Sequence, residues 1–293
     1  MTSCSGQGQQ SGILVIDKPG GITSHDVVAR IRRIAGTRRV GHAGTLDPMA
    51  TGVLVLGIEK ATRLLGHLML TEKEYVATIR LGQSTSTDDA EGEVTGGASR
   101  TVAEEEIRVA IKALTGEIMQ IPPQVSAIKV DGQRAYKLTR AGAAPELVAR
   151  PVTVHSFCVN SISQSGEFTD VGATIRCSSG TYIRSLARDV GVALGVGGHL
   201  TSLRRTQVGP FTLLQAVPLD AATAAAIVPL ADAAAAAYHH RDLSEGEAAS
   251  LAHGAPLPPG GAMGPVAAFA PDGTLVALIE DRGGKARPLA VFA

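Results

Sequence analysis

The order of strand-like and helix-like segments predicts an α+β fold, because the two kinds of segment do not alternate strictly along the chain. Hydrophobic residues make up 44% of the 293 residues, enough for the core of one large domain or two smaller ones. The composition of the sequence changes beyond Tyr238, where Gly/Pro turns separate short predicted strands. We therefore predict a disordered lead at residues 1–11, a main body at residues 12–237 and a small β-rich module at residues 238–293.

A strand and a capped helix open the main body. The apolar run Ile13–Ile16 predicts a buried strand that ends before Pro19. The next helix is predicted over about Val27–Ile34, with Gly36 as its stop, and its candidate caps are Thr23, Ser24 and Asp26. The other elements predicted up to residue 114 are strands at Val53–Gly57 and Glu74–Leu81, helices at Thr62–Met69 and Val102–Leu114, and a polar loop at 82–100.

The second half of the chain begins with a basic segment that is expected to be an exposed excursion. Residues 129–150 carry five bases against two acids. The elements predicted beyond it are strands at Val152–Val159 and Ala173–Cys177, a helix at Ile183–Leu194, two short helices within Ala221–Ala237, and strands at Val266–Phe269, Leu275–Ile279 and Leu289–Phe292. Asp272-Gly273, between the first two of these last strands, predicts a hairpin turn.

Charge is balanced overall but segregated along the chain. Lys and Arg total 27, as do Asp and Glu. The segment 30–39 holds bases and no acid, namely Arg30, Arg32, Arg33, Arg38 and Arg39. Such local basic density favours a phosphate-bearing partner whatever the net charge.

The number and spacing of the cysteines, together with the hydropathy of the chain, exclude several classes of protein. Three cysteines without CxxC spacing argue against a disulfide framework or a zinc site. No apolar run has transmembrane length, and the Ser/Gln/Gly-rich N-terminus lacks the apolar region of a signal peptide. We therefore expect a cytoplasmic protein with no membrane partner.

The most informative segment is the loop Gly41–Gly52, which reads GHAGTLDPMATG. Glycines in this loop permit sharp bends and close approach of a ligand, and Pro48 restricts the residue before it. Asp47 is thus expected to be held on a constrained loop. A carboxylate so held can act as a nucleophile or a base.

Several motifs occur together in one order. They are Asp17-Lys18-Pro19, the loop Gly41–Gly52, Lys73-Glu74-Tyr75, the segment Cys177–Arg184, His199-Leu200 and Leu203–Thr206. In this combination the chain closely resembles the bacterial TruB family, the tRNA pseudouridine-55 synthases, over about residues 12–232. Residues 238–293 resemble the small PUA-like domain appended to that family. The resemblance implies a pseudouridine synthase fold with a mixed, mainly antiparallel central sheet flanked by helices.

The same resemblance implies a reaction and its central residues. Uridine 55 in the T loop of tRNA would be isomerised to pseudouridine without cofactor or metal, with Asp47 as the catalytic group. Arg184 would pair with Asp47, Tyr75 would stack on the target base, and Leu203 would pack on the pocket. Three routes stay open for Asp47: attack at C6 of uracil, attack at C1′, or removal of the 2′ proton.

A further group of residues is implied to lie against the RNA. A uridine in a folded loop must be turned out of its stack to be reached, and His42 is the candidate for the space near the extruded base. Lys18 would be mainly structural and near the RNA. Asp89 would hydrogen-bond in the bound region, with Asp88 as the alternative assignment. The basic segment, about 124–150, resembles a mobile RNA-gripping insertion, and its candidate contacts are Arg134 and Lys137.

Two other classes of function stay under consideration. A protein that only binds and folds tRNA would not need Asp47, Tyr75 and Arg184 together. A carboxylate-nucleophile enzyme on a small substrate, such as a phosphatase, is disfavoured because no paired acid or metal-ligand cluster accompanies Asp47. The expected partner is therefore the T stem-loop and elbow of tRNA, bound by a monomer without a protein partner. Residues 241–293 hold six acids against four bases, a balance that does not favour contact with tRNA phosphates.

Overall fold

The computed structural model describes residues 10–98, 100–125, 129–130, 133–134 and 147–293. Its helices in these ranges are α1 (Ser24–Ile34), α2 (Leu65–Leu68), α3 (Glu104–Ala113), α4 (Ile183–Ala193), α5 (Leu230–Ala237) and α6 (Glu245–Ala252), with 3₁₀ turns at Glu59–Arg63, Leu219–Ala221 and Ala224–Ala226. Its strands are β1 (Gly12–Lys18), β2 (Val40–His42), β3 (Thr51–Ile58), β4 (Lys73–Leu81), β5 (Ser84–Thr85), β6 (Val94–Gly96), β7 (Gly116–Gln120), β8 (Lys129–Val130), β9 (Gln133–Arg134), β10 (Arg150–Ser165), β11 (Phe168–Cys177), β12 (Gly198–Val208), β13 (Phe211–Thr212), β14 (Val217–Pro218), β15 (Val228–Pro229), β16 (His239–Asp242), β17 (Val266–Phe269), β18 (Leu275–Arg282) and β19 (Lys285–Val291). The predicted α+β class is confirmed.

Helix α1 begins at a complete capping box, which explains why it starts three residues before the predicted Val27. The Thr23 hydroxyl accepts a hydrogen bond from the Asp26 backbone N–H at 3.1 Å. In return the Asp26 carboxylate accepts one from the Thr23 N–H at 2.8 Å. Of the three candidate caps, Thr23 is therefore the N-cap.

One compact unit comprises the described residues up to Asp47 together with Gly52–Met69 and Gly209–Ala293. In it β1 runs antiparallel to β3 along its whole length, from the pair Gly12 and Ile58 to the pair Lys18 and Gly52. The short β2 pairs antiparallel with β3, while β14 lies parallel and β15 antiparallel to β1. The long, buried β1 and β3 provide the apolar centre from which the Asp47 loop projects.

The same unit contains a separate four-stranded sheet in the order β16, β17, β18, β19. Its turn between β17 and β18 has Gly273 at a φ of +82°, and the Asp272 carboxylate accepts a hydrogen bond from the Thr274 N–H. The predicted hairpin is therefore confirmed. Strand β16 and helix α6 belong to this module and were not predicted. The domain boundary near residue 237 stays a prediction.

The second compact unit comprises Pro48–Thr51 and the described part of Leu70–Val208. Its strands run antiparallel in the order β12, β4, β11, β10, β7, so that β4 lies between β11 and β12. Helix α4 packs against β12 and β4. This arrangement positions both the Tyr75 strand and the Arg184 helix.

Three sequence expectations differ from the structure. The predicted helix at Thr62–Met69 is a 3₁₀ turn followed by the single turn α2. Strands β10 and β11 are longer than predicted because they form one extended hairpin, closed at Gly166 with a φ of +65°. Strand β12 was not predicted, although it is paired along most of its length with β4.

Gly191 sets how closely α4 approaches the start of β12. A Cβ at this position would lie 2.2 Å from the backbone of Gly197 and Gly198. We expect Gly191→Ala to lower the free energy of unfolding by about 1–3 kcal/mol, because the backbone must shift to admit the methyl group. Urea denaturation measures the change.

Gly66 in α2 provides the matched control, since no heavy atom lies within 4 Å of a Cβ built there. Gly66→Ala is expected to leave the free energy of unfolding unchanged or to raise it by less than about 1 kcal/mol. Equal stability of the two variants would contradict the close approach of α4 to β12.

Candidate active site

The loop that carries Asp47 connects β2 to β3. It leaves the ladder at Ala43, whose N–H donates to the Val55 carbonyl at 2.9 Å. Gly44 and Gly52 both adopt a φ of +97°, a conformation that other residues avoid. Asp47 lies half-buried between these two glycines. The local sequence thus produces the constrained loop that its glycines predicted.

His42 and Lys18 lie in the same unit as Asp47. His42 ends β2, is half-buried, and makes an edge-to-face contact with His25 at 5.6 Å between ring centroids. Lys18 is fully buried, and its ammonium donates to the carbonyls of Pro19 and Ile22 at 2.8 and 2.7 Å. Lys18 therefore holds the turn after β1 from within, and its predicted place near the RNA stays a prediction.

The arginines of segment 30–39 lie at the end of α1 and just beyond it. All five are exposed, while the apolar residues Val27, Val28 and Ile31 are buried. Arg32 donates to the Val40 carbonyl at 3.3 Å, and Arg39 lies 3.6 Å from Glu59. The segment presents positive charge to solvent, as an anionic partner requires.

Tyr75 and Leu203 share one face of the sheet in the second unit. Tyr75 lies opposite Arg205, and Leu203 lies opposite Ala77, in the antiparallel pair of β4 and β12. Since opposite residues and residues two apart lie on one face, these four side chains are neighbours. All four are buried. The register therefore brings Tyr75 and Leu203 together on one face, and their roles toward the target base stay predictions.

Two buried cations flank Tyr75 on this face, and sequence reasoning gave neither of them a role. They are Arg205, opposite Tyr75, and Lys73, two residues before it. Burial first, and then the nearby Arg205 charge, lower the pKa of Lys73 to about 8. Across the strand pair, burial raises the pKa of Cys177 to about 11, so this thiol stays protonated at neutral pH. A lysine at a strand end is expected to be exposed to solvent, so nothing in the sequence predicted that Lys73 is buried.

Arg184, the second residue of α4, ties three segments together. One terminal nitrogen donates to the Thr87 carbonyl at 2.9 Å and lies 3.4 Å from an Asp89 carboxylate oxygen. The other donates to the Val125 carbonyl at 2.9 Å. Arg184 and Asp89 side chains are only 5% and 3% exposed. The predicted pairing of Arg184 with Asp47 stays a prediction.

Asp89 and Asp88, which the sequence left as alternatives, have different partners. Asp89 faces Arg184 and accepts hydrogen bonds from the Thr87 hydroxyl and the Glu91 N–H. Asp88 adopts a φ of +59° and lies 3.1 Å from Arg188. Burial raises the pKa of Asp88, and the Arg188 charge opposes that rise. Asp89 is therefore the aspartate that faces the Arg184 side chain.

Tyr182 is a third residue to which sequence reasoning assigned no role. It precedes α4, and its backbone N–H and carbonyl both bond to the Gln120 side-chain amide, at 2.8 and 3.1 Å. Tyr182 also lines a cavity of about 140 Å³ together with Arg150, Ser179 and other residues. Its position two residues before Arg184 was the available signal, because both follow the Ser178–Thr181 turn.

The basic insertion lies largely outside the part of the chain that the structure describes. Arg134 belongs to the short β9, and Lys137 lies outside the described residues. Within the described ranges, no three His, Cys, Asp or Glu side chains are grouped to hold a metal ion. No helix among those same residues is long and apolar enough to cross a membrane.

Two arginines of the C-terminal module are paired with acids of the same module. Arg241 lies 3.2 Å from Glu247, and Arg282 pairs with Glu280. His240 stacks on Phe269 at 4.2 Å between centroids. The module thus holds more acids than bases, and two of its four bases are paired within it.

Comparison with protein families matches nearly the whole chain. Residues 32–183 match the TruB family pseudouridylate synthase (N terminal domain). Residues 184–242 match the tRNA pseudouridylate synthase B C-terminal domain, and residues 238–293 match the family described as tRNA Pseudouridine synthase II, C terminal.

Curated relatives align with this chain from end to end. The tRNA pseudouridine synthase B of Thermobifida fusca (strain YX) is 60% identical over 288 residues, covering 96% of this chain and 98% of that protein. The protein of the same name from Arthrobacter sp. (strain FB24) is 57% identical over 296 residues, covering 97% of each.

Solved structures share the fold at lower identity. A chain of a Cbf5–Nop10–Gar1 complex has a TM-score of 0.73 and 30% identity, covering 97% of this chain and 85% of that one. A chain of an H/ACA RNP bound to a substrate RNA containing 2′-deoxyuridine has a TM-score of 0.71 and 29% identity, covering 96% and 85%. These likenesses agree with the α+β architecture described above.

Proposed function

The chain belongs to the TruB family of pseudouridylate synthases, and on that premise we propose that it isomerises uridine 55 in the T loop of tRNA to pseudouridine. The observation that carries this proposal is the single carboxylate, Asp47, on a loop bounded by two glycines with positive φ. Its relatives of 57% and 60% identity are named for pseudouridine synthesis in tRNA, which supports the substrate class.

The proposed reaction exchanges one glycosidic bond for another. The C1′–N1 bond breaks, a C1′–C5 bond forms, the proton on C5 leaves, and N1 takes up a proton. Asp47 is the proposed group that drives this exchange, by attack at C6, by attack at C1′ or by removal of the 2′ proton. Each route needs an ionised carboxylate, and Arg184 is the proposed partner that holds it ionised and oriented.

Recognition is proposed to combine phosphate contacts with extrusion of the target base. The exposed arginines of segment 30–39, with Arg134 and Lys137 of the insertion, would contact phosphates of the T stem-loop and elbow. Tyr75 would stack on the extruded uracil and Leu203 would pack against it. His42, at the end of β2 before the Asp47 loop, would lie against the RNA near the vacated position. Lys18 and Asp89 would hold these elements in place from the interior. Residues 12–237 would be the catalytic domain of a monomer, and residues 238–293 would be its PUA-like domain.

Mapping pseudouridine in tRNA tests the proposal directly. In cells that lack this gene, uridine 55 is expected to stay unmodified while other pseudouridines are unchanged. Return of the wild-type gene should restore the modification at that position. Full modification at position 55 in the deletion strain would contradict the proposed substrate.

A further inference from the structure

Ser24 holds the residue directly before Asp47 by both of its backbone groups. The Ser24 hydroxyl donates to the Leu46 carbonyl at 3.0 Å and accepts from the Leu46 N–H at 2.9 Å. Ser24 is 1% exposed and Leu46 is 3% exposed, so neither hydrogen bond competes with bulk water. One side chain therefore satisfies both main-chain groups of the residue next to the proposed catalytic acid.

Ser24 is itself held on a rigid base. It is the first residue of α1, and the capping box of Thr23 and Asp26 fixes the start of that helix. The turn that leads into the helix is held in turn by buried Lys18, whose ammonium donates to the Pro19 and Ile22 carbonyls. These hydrogen bonds continue from β1 through the turn and the helix start to the loop.

We propose that Ser24 is a positioning residue for catalysis, which acts by fixing the direction in which the Asp47 carboxylate points. This inference rests on the proposed role of Asp47. A catalytic group must be held within a fraction of an ångström of its productive position, and such precision comes from the hydrogen bonds of its supporting residues. Asp47 is half-buried on this loop, and the two Ser24 bonds restrain the backbone of the residue directly before it.

The test compares Ser24→Ala with the same substitution at a serine that hydrogen-bonds the backbone elsewhere in the chain. Ser24→Ala removes both bonds to Leu46 while adding no atoms. We expect its single-turnover rate of pseudouridine formation on tRNA, at saturating enzyme, to fall about 10- to 100-fold. The Kd for tRNA should change by less than about threefold, because Ser24 is buried away from solvent. Hydrogen exchange in the peptide that contains Leu46 should become faster.

Ser244→Ala is the matched control, because Ser244 caps α6 through the Glu247 N–H in the C-terminal module. It is expected to lose the hydrogen bond that caps α6 and to keep the wild-type single-turnover rate and the slow exchange at Leu46. Both variants are compared with the wild-type chain below their midpoints of thermal unfolding.

Asp47→Asn, measured beside them, separates the two proposals. An active Asp47→Asn variant would overturn the proposed function. An inactive Asp47→Asn variant together with an unchanged rate or unchanged Leu46 exchange in Ser24→Ala would overturn the positioning role alone. A fall in rate that Ser244→Ala reproduces would overturn it as well, since the loss would then follow stability and not the loop.

Discussion

Replacing Asp47 by asparagine is expected to lower the single-turnover rate of pseudouridine formation on the order of a thousandfold or more. Asparagine keeps the size and shape of the side chain but cannot ionise, so it can serve neither as nucleophile nor as base. The loop should keep its conformation, since Gly44 and Gly52 set its bends and Ser24 holds Leu46. Release of tritium from C5-labelled uridine in tRNA, with enzyme in excess, measures the rate of the chemical step.

The control for Asp47→Asn is Asp220→Asn, which makes the same change of charge at an exposed position in the same unit. It is expected to retain the wild-type rate. The Kd for tRNA should be similar in both variants, because the proposed phosphate contacts lie elsewhere. Turnover retained by Asp47→Asn would refute the catalytic role. If the inactive variant still accelerates refolding of denatured tRNA, a binding function stands beside the chemistry.

Local patterns account for what the sequence predicted correctly. The Asp47 loop, the cap of α1 and the tail hairpin each depend on glycine, proline or a short polar residue within a few positions. Strand β12 was missed because its sequence, Gly198–Val208, mixes polar and charged residues with few apolar ones. It becomes a strand through its long pairing with β4, and that pairing is a tertiary effect.

The sequence did not predict the surroundings of the site residues, because charged groups around them are buried. The order of the motifs predicted Tyr75, Arg184 and Leu203 as site residues. It did not predict which side chains surround them. Arg205 is buried opposite Tyr75, and Asp89 is buried against Arg184, in each case through contacts between segments far apart in the sequence. Charged residues are expected on the surface by default, so only the fold reveals that these are inside.

Replacing Arg184 by methionine is expected to lower the free energy of unfolding by about 3–5 kcal/mol. The substitution leaves the nearly buried Asp89 carboxylate without its guanidinium, and it removes the donors to the Thr87 and Val125 carbonyls. Methionine preserves most of the side-chain volume, so the loss reports charge and hydrogen bonding more than a cavity. Urea denaturation at pH 7 measures the change.

Asp89→Asn provides the partner for a double-mutant cycle, since asparagine keeps the oxygen that accepts from Thr87 and Glu91 while it removes the charge. Because the double variant no longer buries an uncompensated carboxylate, its loss of stability should be smaller than the sum of the single losses by more than about 1 kcal/mol. Additivity within about 0.5 kcal/mol would contradict a coupled buried pair. Arg184→Met and the double variant are both expected to be inactive, even where the second substitution recovers stability, because Asp47 would lack its proposed partner in each. Recovery of stability and activity together would contradict the proposed pairing of Arg184 with Asp47. The role of Arg184 would then be structural, through its ion pair with Asp89.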